Sequence, residues 1–172
     1  IAWFDEDGLL KVGPASAGAQ PGPVCYGEGD KITVTDANLF LGRIDPDDFL
    51  GGRMRLDAGR ARDYIRRFAA TAGTSPEELA RGVIDVANSS MERAIRAISV
   101  ERGHDPREFA LLSFGGAGGQ HACELAARLE ISTVIVPRHA GVLSALGMLV
   151  ADCVRDFSQS LLGRDSSEVY RE

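Results

Sequence analysis

Apolar and polar positions change period several times along the chain, and each change predicts an element. Two short apolar runs, Ile1–Phe4 and Leu9–Val12, flank Asp5-Glu6-Asp7-Gly8. The Asp-Gly pair favours a tight turn, so the pattern opens as a β-hairpin. Residues 13–30 are rich in Gly, Pro and Ala. Prolines and glycines exclude a regular helix there, and a loop of that length suggests function or a partner contact. Thr35 or Asp36 can cap a short helix through Leu41, ahead of Gly42 and the Asp45-Pro46 turn. Helical spacing then governs two longer stretches. From about Ala58 to Ala72, Ala61, Tyr64, Ile65, Phe68 and Ala69 share one face, and Gly73 sits where a helix-ending glycine belongs. Ser75, Pro76 and Glu78 supply an N-cap, a first-turn proline and a capping box. The stripe that follows, Leu79, Val83, Ala87, Met91, Ala94, Ile95 and Ile98, runs toward Gly103 and reads as core.

Strands and helices alternate only in the last third. Phe109–Phe114 has the length and apolarity of a strand, Gly115–Gly119 a turn, and Ala122, Leu125, Ala126 and Leu129 fall at helical spacing. Thr133–Val136 reads as a buried strand stopped by Pro137, and Gly141–Ala151 as a further helix. This β-α-β order predicts a parallel pair with a right-handed crossover. The pattern divides one domain into a hairpin and loop (1–30), a helical segment (31–108), a βαβ core (109–162) and a polar tail (163–172). The chain starts with Ile1 inside a predicted strand, which suggests a piece of a longer protein.

Composition narrows the function classes. With 44% hydrophobic and 26% charged residues, the 172-residue chain has the make-up of a globular domain with a core. A net charge of −6 argues against nucleic-acid binding. The one dense basic cluster, Arg60, Arg62, Arg66 and Arg67, reads as a solvated helix face. Cys25, Cys123 and Cys153 are odd in number and lack CxxC spacing, as expected of reduced thiols in a cytoplasmic protein. The apolar stretch Val142–Ala151 is about half the roughly 20 residues needed to span a bilayer, and Asp5, Glu6 and Asp7 replace a basic leader. No membrane or export signal is predicted.

The glycine cluster carries the candidate chemistry. Glycine has no side chain to keep a ligand away, and the first N–H groups of a helix lack partners within it. In open α/β sheets ligands sit at the carboxyl ends of strands, which is where Gly115–Gly119 lie. The same glycines could serve only a tight strand-to-helix corner. A dinucleotide fingerprint started at Gly116 meets His121 where its third glycine belongs, and the Gly-Lys-Ser/Thr of a phosphate loop is absent.

Six stretches in order, spanning about residues 1–162, resemble the ATP-dependent hydantoinase A, 5-oxoprolinase and acetone carboxylase β-subunit family. They are Gly13-Pro14 with Ser16–Ala19, Pro21-Gly22-Pro23 with Cys25-Tyr26-Gly27, Thr33–Leu39, Phe49–Gly52, Phe114–Ala122, and Val136-Pro137 with Ala140–Ala145. The resemblance implies an α/β fold, one part of an actin-like ATPase built from RNase-H-like halves, with a large helical insertion. It implies that Gly115, Gly116, Gly118 and Gly119, with Gln120, hold the adenosine of ATP, while the phosphate-gripping loops and bound Mg²⁺ belong to the full-length protein. The implied activity is ATP-dependent hydrolysis of a small cyclic amide, with the remainder of the polypeptide and a hydantoinase B-type subunit as partners. The β-subunit of an ATP-dependent ketone carboxylase and a noncatalytic docking module are the alternatives, and the chain alone is expected not to hydrolyse ATP.

Within that resemblance, Asp36 and His121 are the candidate catalytic residues. Asp36 could contact a metal-bound water or the substrate, or could simply cap a helix. His121, in the first turn after the glycines, could serve the site as a neutral imidazole or could be a packed or capping residue. Cys123 falls on the opposite face from His121, so no metal pair is expected. Cys25 is read as loop packing, since a nucleophile would need a nearby base.

Overall fold

The structure, a computed structural model, describes residues 1–156; the predicted polar tail and residues 157–162 of the βαβ segment lie outside them. Strands β1 (Ala2–Phe4) and β2 (Leu10–Val12) pair antiparallel, Ala2 opposite Val12. Their turn is closed by the Asp5 carboxylate, which accepts the N–H groups of Asp7 and Leu9 at 3.2 and 2.8 Å. The Gly/Pro loop follows and contains one 3₁₀ turn, Val24–Tyr26.

Three helices complete the first body: α1 (Val34–Phe40), α2 (Ala58–Thr71) and α3 (Pro76–Ile98). Helix α3 begins as its sequence dictates, with Ser75 and Glu78 forming a capping box and Pro76 in the first turn. Helix α1 corrects the expectation that Thr35 or Asp36 caps it. The cap is Thr33, and Asp36 is its capping-box partner three residues on. Residues from both strands and all three helices share one core, with Ala2, Ile32, Ile65, Ala69, Leu79 and Ile84 buried in it.

The apolar stripe of α3 is core only over its first half. Leu79 and Val83 are buried and Ala87 and Met91 half-buried, but Ala94 and Ile98 are exposed. The helix ends at Ile98, five residues before Gly103, and a 3₁₀ turn over Val100–Arg102 intervenes.

Beyond it, β3 (Leu111–Leu112) and β4 (Val134–Ile135) pair in parallel, joined by α4 (Gly119–Arg128), and a short α5 (Leu143–Val150) follows. The order and parallel sense match the sequence pattern, but each strand is two residues long where six and four are predicted. A smaller cluster, Ala126, Leu129 and Ile131, packs under Ile95, Leu111 and Val134 and ties this unit to α3.

Candidate functional site

A groove of about 660 Å³ opens between the two parts of the molecule. The Gly13–Gly18 loop and the Thr33–Thr35 start of α1 form one side, Ala87, Ser90 and Met91 of α3 another, and Leu111–Phe114 with Ala117, Gly118 and His121 the third. Among the described residues no Asp, Glu, Lys or Arg side chain lines it. A cavity of about 850 Å³ lies on the far side of the hairpin, against Trp3, Phe4, Tyr64 and Phe68, and takes in none of the candidate catalytic or adenosine-binding residues.

The glycine turn is open to solvent along Gly115, Gly116, Ala117 and Gly119. Its four glycines have different reasons to be there. Gly115 has φ +87°, a conformation side chains resist, and a Cβ on Gly118 would meet the Phe114 carbonyl oxygen at 2.5 Å. Gly116 and Gly119 are at neither limit: their φ is ordinary and a Cβ would meet nothing within 4 Å. Nothing inside the described chain requires those two to be bare. The Gly115 N–H is bound to the Ala140 carbonyl at 2.8 Å, whereas the N–H groups of Gly116, Ala117 and Gly118 bond to none of the described residues. Helix α4 has no side-chain cap, and the His121 and Ala122 N–H groups of its first turn are taken by the Gly118 carbonyl. Gln120, half-buried, begins the helix by donating its N–H to Ala117.

Asp36 is fully buried. Its carboxylate accepts the N–H groups of Val24, Cys25 and Thr33 at 3.2, 2.8 and 2.9 Å and the Thr33 hydroxyl at 2.8 Å. Three of these donors meet Oδ2 and one Oδ1, and the carboxylate is enclosed and does not line the groove. These contacts pin the Gly/Pro loop to the start of α1, the capping alternative for Asp36. Cys25 shares that interior, where burial first and the Asp36 charge second hold its thiol far above the usual cysteine range. The side chain packs with Leu39, Leu56 and Ala61, in keeping with the packing role expected of it.

His121 is buried at the foot of the groove with 7% of its surface exposed. Burial pushes its imidazole below the usual histidine range; Glu124 pulls it back up and Arg43 adds a further small depression. The neutral state is as expected, but its main cause is burial. Nδ1 lies 2.7 Å from Asn88 Oδ1, while Asn88 donates its amide to Glu124 and Arg43 donates to Glu124 at 2.5 Å. Sequence reasoning missed Asn88, Glu124 and Arg43. Asn88 left a readable trace, an amide one turn after Ile84 and two after Ala80 on the apolar side of α3. Its partners lie 33 to 36 residues away, and Arg43 is 81 from Glu124, beyond any local pattern.

Cys123 is exposed, away from His121, and among the described residues no cluster of three or more His, Cys, Asp or Glu could hold a metal. No helix among them is long and apolar enough to cross a membrane.

Comparison with known proteins places the arrangement. A family model described as hydantoinase/oxoprolinase matches residues 1–157. The chain is 48% identical to caprolactamase subunit alpha of Pseudomonas jessenii over 88% of this chain and 22% of that protein. It is 40% identical to 5-oxoprolinase 1 of Arabidopsis thaliana over 95% of this chain and 15% of that protein. Among solved structures, it superposes on nucleotide-free acetone carboxylase, of ATP-dependent acetone carboxylation, with a TM-score of 0.81 at 35% identity, covering 88% of this chain and 22% of the other. The chain therefore spans less than a quarter of the length of these relatives.

Proposed function

Because the chain belongs to the hydantoinase/oxoprolinase family, we propose that it forms the adenosine-side wall of the ATP cleft in a longer, ATP-dependent cyclic amide hydrolase. The observation that carries this reading is the pair Gly116 and Gly119, bare without internal need, beside N–H groups that no described residue satisfies. Such a surface suits a ligand whose sugar and base come close to backbone. Gly115 and Gly118 hold the turn in shape, and Gln120 starts the helix behind it. The architecture we assign is one half of an actin-like ATPase, the helices α1–α3 being an insertion into it.

ATP, when bound, supplies a phosphoryl group that converts the amide oxygen into a leaving group, so that an unstrained carbonyl becomes open to water. In this reading the described residues bind and orient and do not hold the metal. No acidic side chain among the described residues lines the groove and Asp36 is sealed, so Mg²⁺ in our reading is held by the triphosphate and by residues outside the described ones. Asp36 acts at a distance, by fixing the loop that forms the opposite wall.

The likeness to acetone carboxylase keeps a second reading in place: the same segment would serve the β-subunit of a ketone carboxylase, since both chemistries begin with ATP. The apolar surface of β4 and α5 suits docking against the remainder of the polypeptide or a hydantoinase B-type subunit. The test is Gly116→Val in the full-length polypeptide. Its Cβ enters open space, so thermal stability is expected to stay unchanged while ATP affinity measured by calorimetry falls about tenfold or more. Unchanged affinity would show that the turn does not touch nucleotide.

A further inference from the structure

The chain of contacts behind His121 has only one consistent assignment of donors and acceptors. Arg43 carries no acceptor and donates to Glu124, whose carboxylate oxygens are the acceptors of this pair. Asn88 must therefore turn its NH₂ to Glu124, and so its carbonyl oxygen to His121. A carbonyl oxygen only accepts, so the proton of the neutral imidazole sits on Nδ1. Nε2 is left with a lone pair, and no described residue donates to it. Apart from Tyr26 and the Ile1 amino group, His121 is the only titratable group among the described residues that line the groove, and it lies next to the glycine turn.

We infer that Asn88 is a positioning residue that locks His121 in this tautomer, so that Nε2 accepts a hydrogen bond from a donor of the bound nucleotide, a ribose hydroxyl or the adenine amino group. The inference rests on the nucleotide reading above and adds a specific acceptor to it. Protonation of Nε2 would turn the acceptor into a donor and break the contact, so affinity acquires an acid limb set by His121.

The charged groups bearing on the ring are few. Glu124 lies one turn along α4, and Arg43 reaches in from the segment after α1. Helix α3 presents Asp85, paired with Arg128, and Glu92, paired with Arg96, on either side of Asn88. The glycine turn, β3 and the Gly13–Gly18 loop present none to the groove. Two substitutions should therefore move the limb in opposite directions. Asn88→Asp places a carboxylate against Nδ1 and favours the imidazolium, whereas Glu124→Gln removes the negative charge that already does so.

The experiment measures ATP affinity against pH in the full-length polypeptide for wild type, His121→Gln, Asn88→Asp and Glu124→Gln. The phosphate titration of ATP is common to all four and cancels between them. Expected are loss of the limb in His121→Gln, a shift to higher pH by about one unit in Asn88→Asp, and a shift to lower pH in Glu124→Gln. If Asn88→Asp does not fold, Glu124→Gln, at a half-exposed position, decides alone. With 2′-deoxy-ATP the difference between wild type and His121→Gln disappears if the donor is that hydroxyl and persists if it is another donor of the nucleotide; a donor is assigned in either case. A limb that survives in His121→Gln, or variants that leave it in place, overturns the inference while ATP binding by the wild type leaves the nucleotide reading standing. Failure of the wild type to bind ATP removes both.

Discussion

The hairpin with α1–α3 and the β3–α4–β4–α5 segment share one chain and treat their apolar residues in opposite ways. In the first, Ile65, Val83 and Ile84 are sealed, at 0–1% exposure, and the strands and helices close around them. In the second, Ile135 is 48% and Leu149 83% exposed, with Phe114, Val136 and Met148 also open. A parallel pair of strands ordinarily lies inside a larger sheet covered on both faces, and two residues per strand give it little stability of its own. One region is built to hold itself together and the other to be completed by neighbours. The groove lies on the seam, its rigid wall from the first and its glycine turn from the second.

Substitutions can break this contrast. The largest effect is expected from Asp36→Ala, which strips three buried N–H groups of their acceptor and should cost about 3 kcal/mol or more in chemical denaturation of the chain. A loss below about 1 kcal/mol would mean that the loop is not anchored there. Ser75→Ala should cost about 1 kcal/mol through the lost cap of α3, again in the self-contained region. Lowering the pH sharpens the seam itself. The folded His121 titrates below its unfolded value of 6.5, so the unfolded chain takes up the proton first. The stability it contributes is present above pH 6.5 and is lost as pH falls through the folded value, a slope that His121→Gln should flatten in denaturation midpoints. The smallest effect is expected in the open region. Leu149→Ser should change the chain's stability by less than about 0.5 kcal/mol, yet weaken assembly of the longer protein as judged by size-exclusion chromatography. A large loss of stability in the chain alone would erase the contrast.

How much of this was legible in the sequence follows the same division. The α3 start was readable because a capping box and a first-turn proline are local signals. The hairpin was readable from its turn and the parallel pair from its order. The cap of α1 was misread because Thr33, Thr35 and Asp36 all suit the position, and only packing against Val24 and Cys25 selects the frame that starts at Thr33. Strand lengths failed for a different reason. The apolarity of Phe109–Phe114 predicts pairing, but the described residues provide β3 with only one partner. At the site, the glycine turn and His121 were visible as residue types. The partners that decide which ring nitrogen is free are far away in sequence and were not.

The buried thiol at Cys25 gives the molecule a built-in reporter. Cys123 and Cys153 are exposed and should react with an alkylating reagent at once, whereas Cys25 is shielded by the loop that Asp36 fastens. Its slow alkylation would therefore time how often that loop lifts away, a clock for breathing of the groove wall that needs neither ligand nor catalysis.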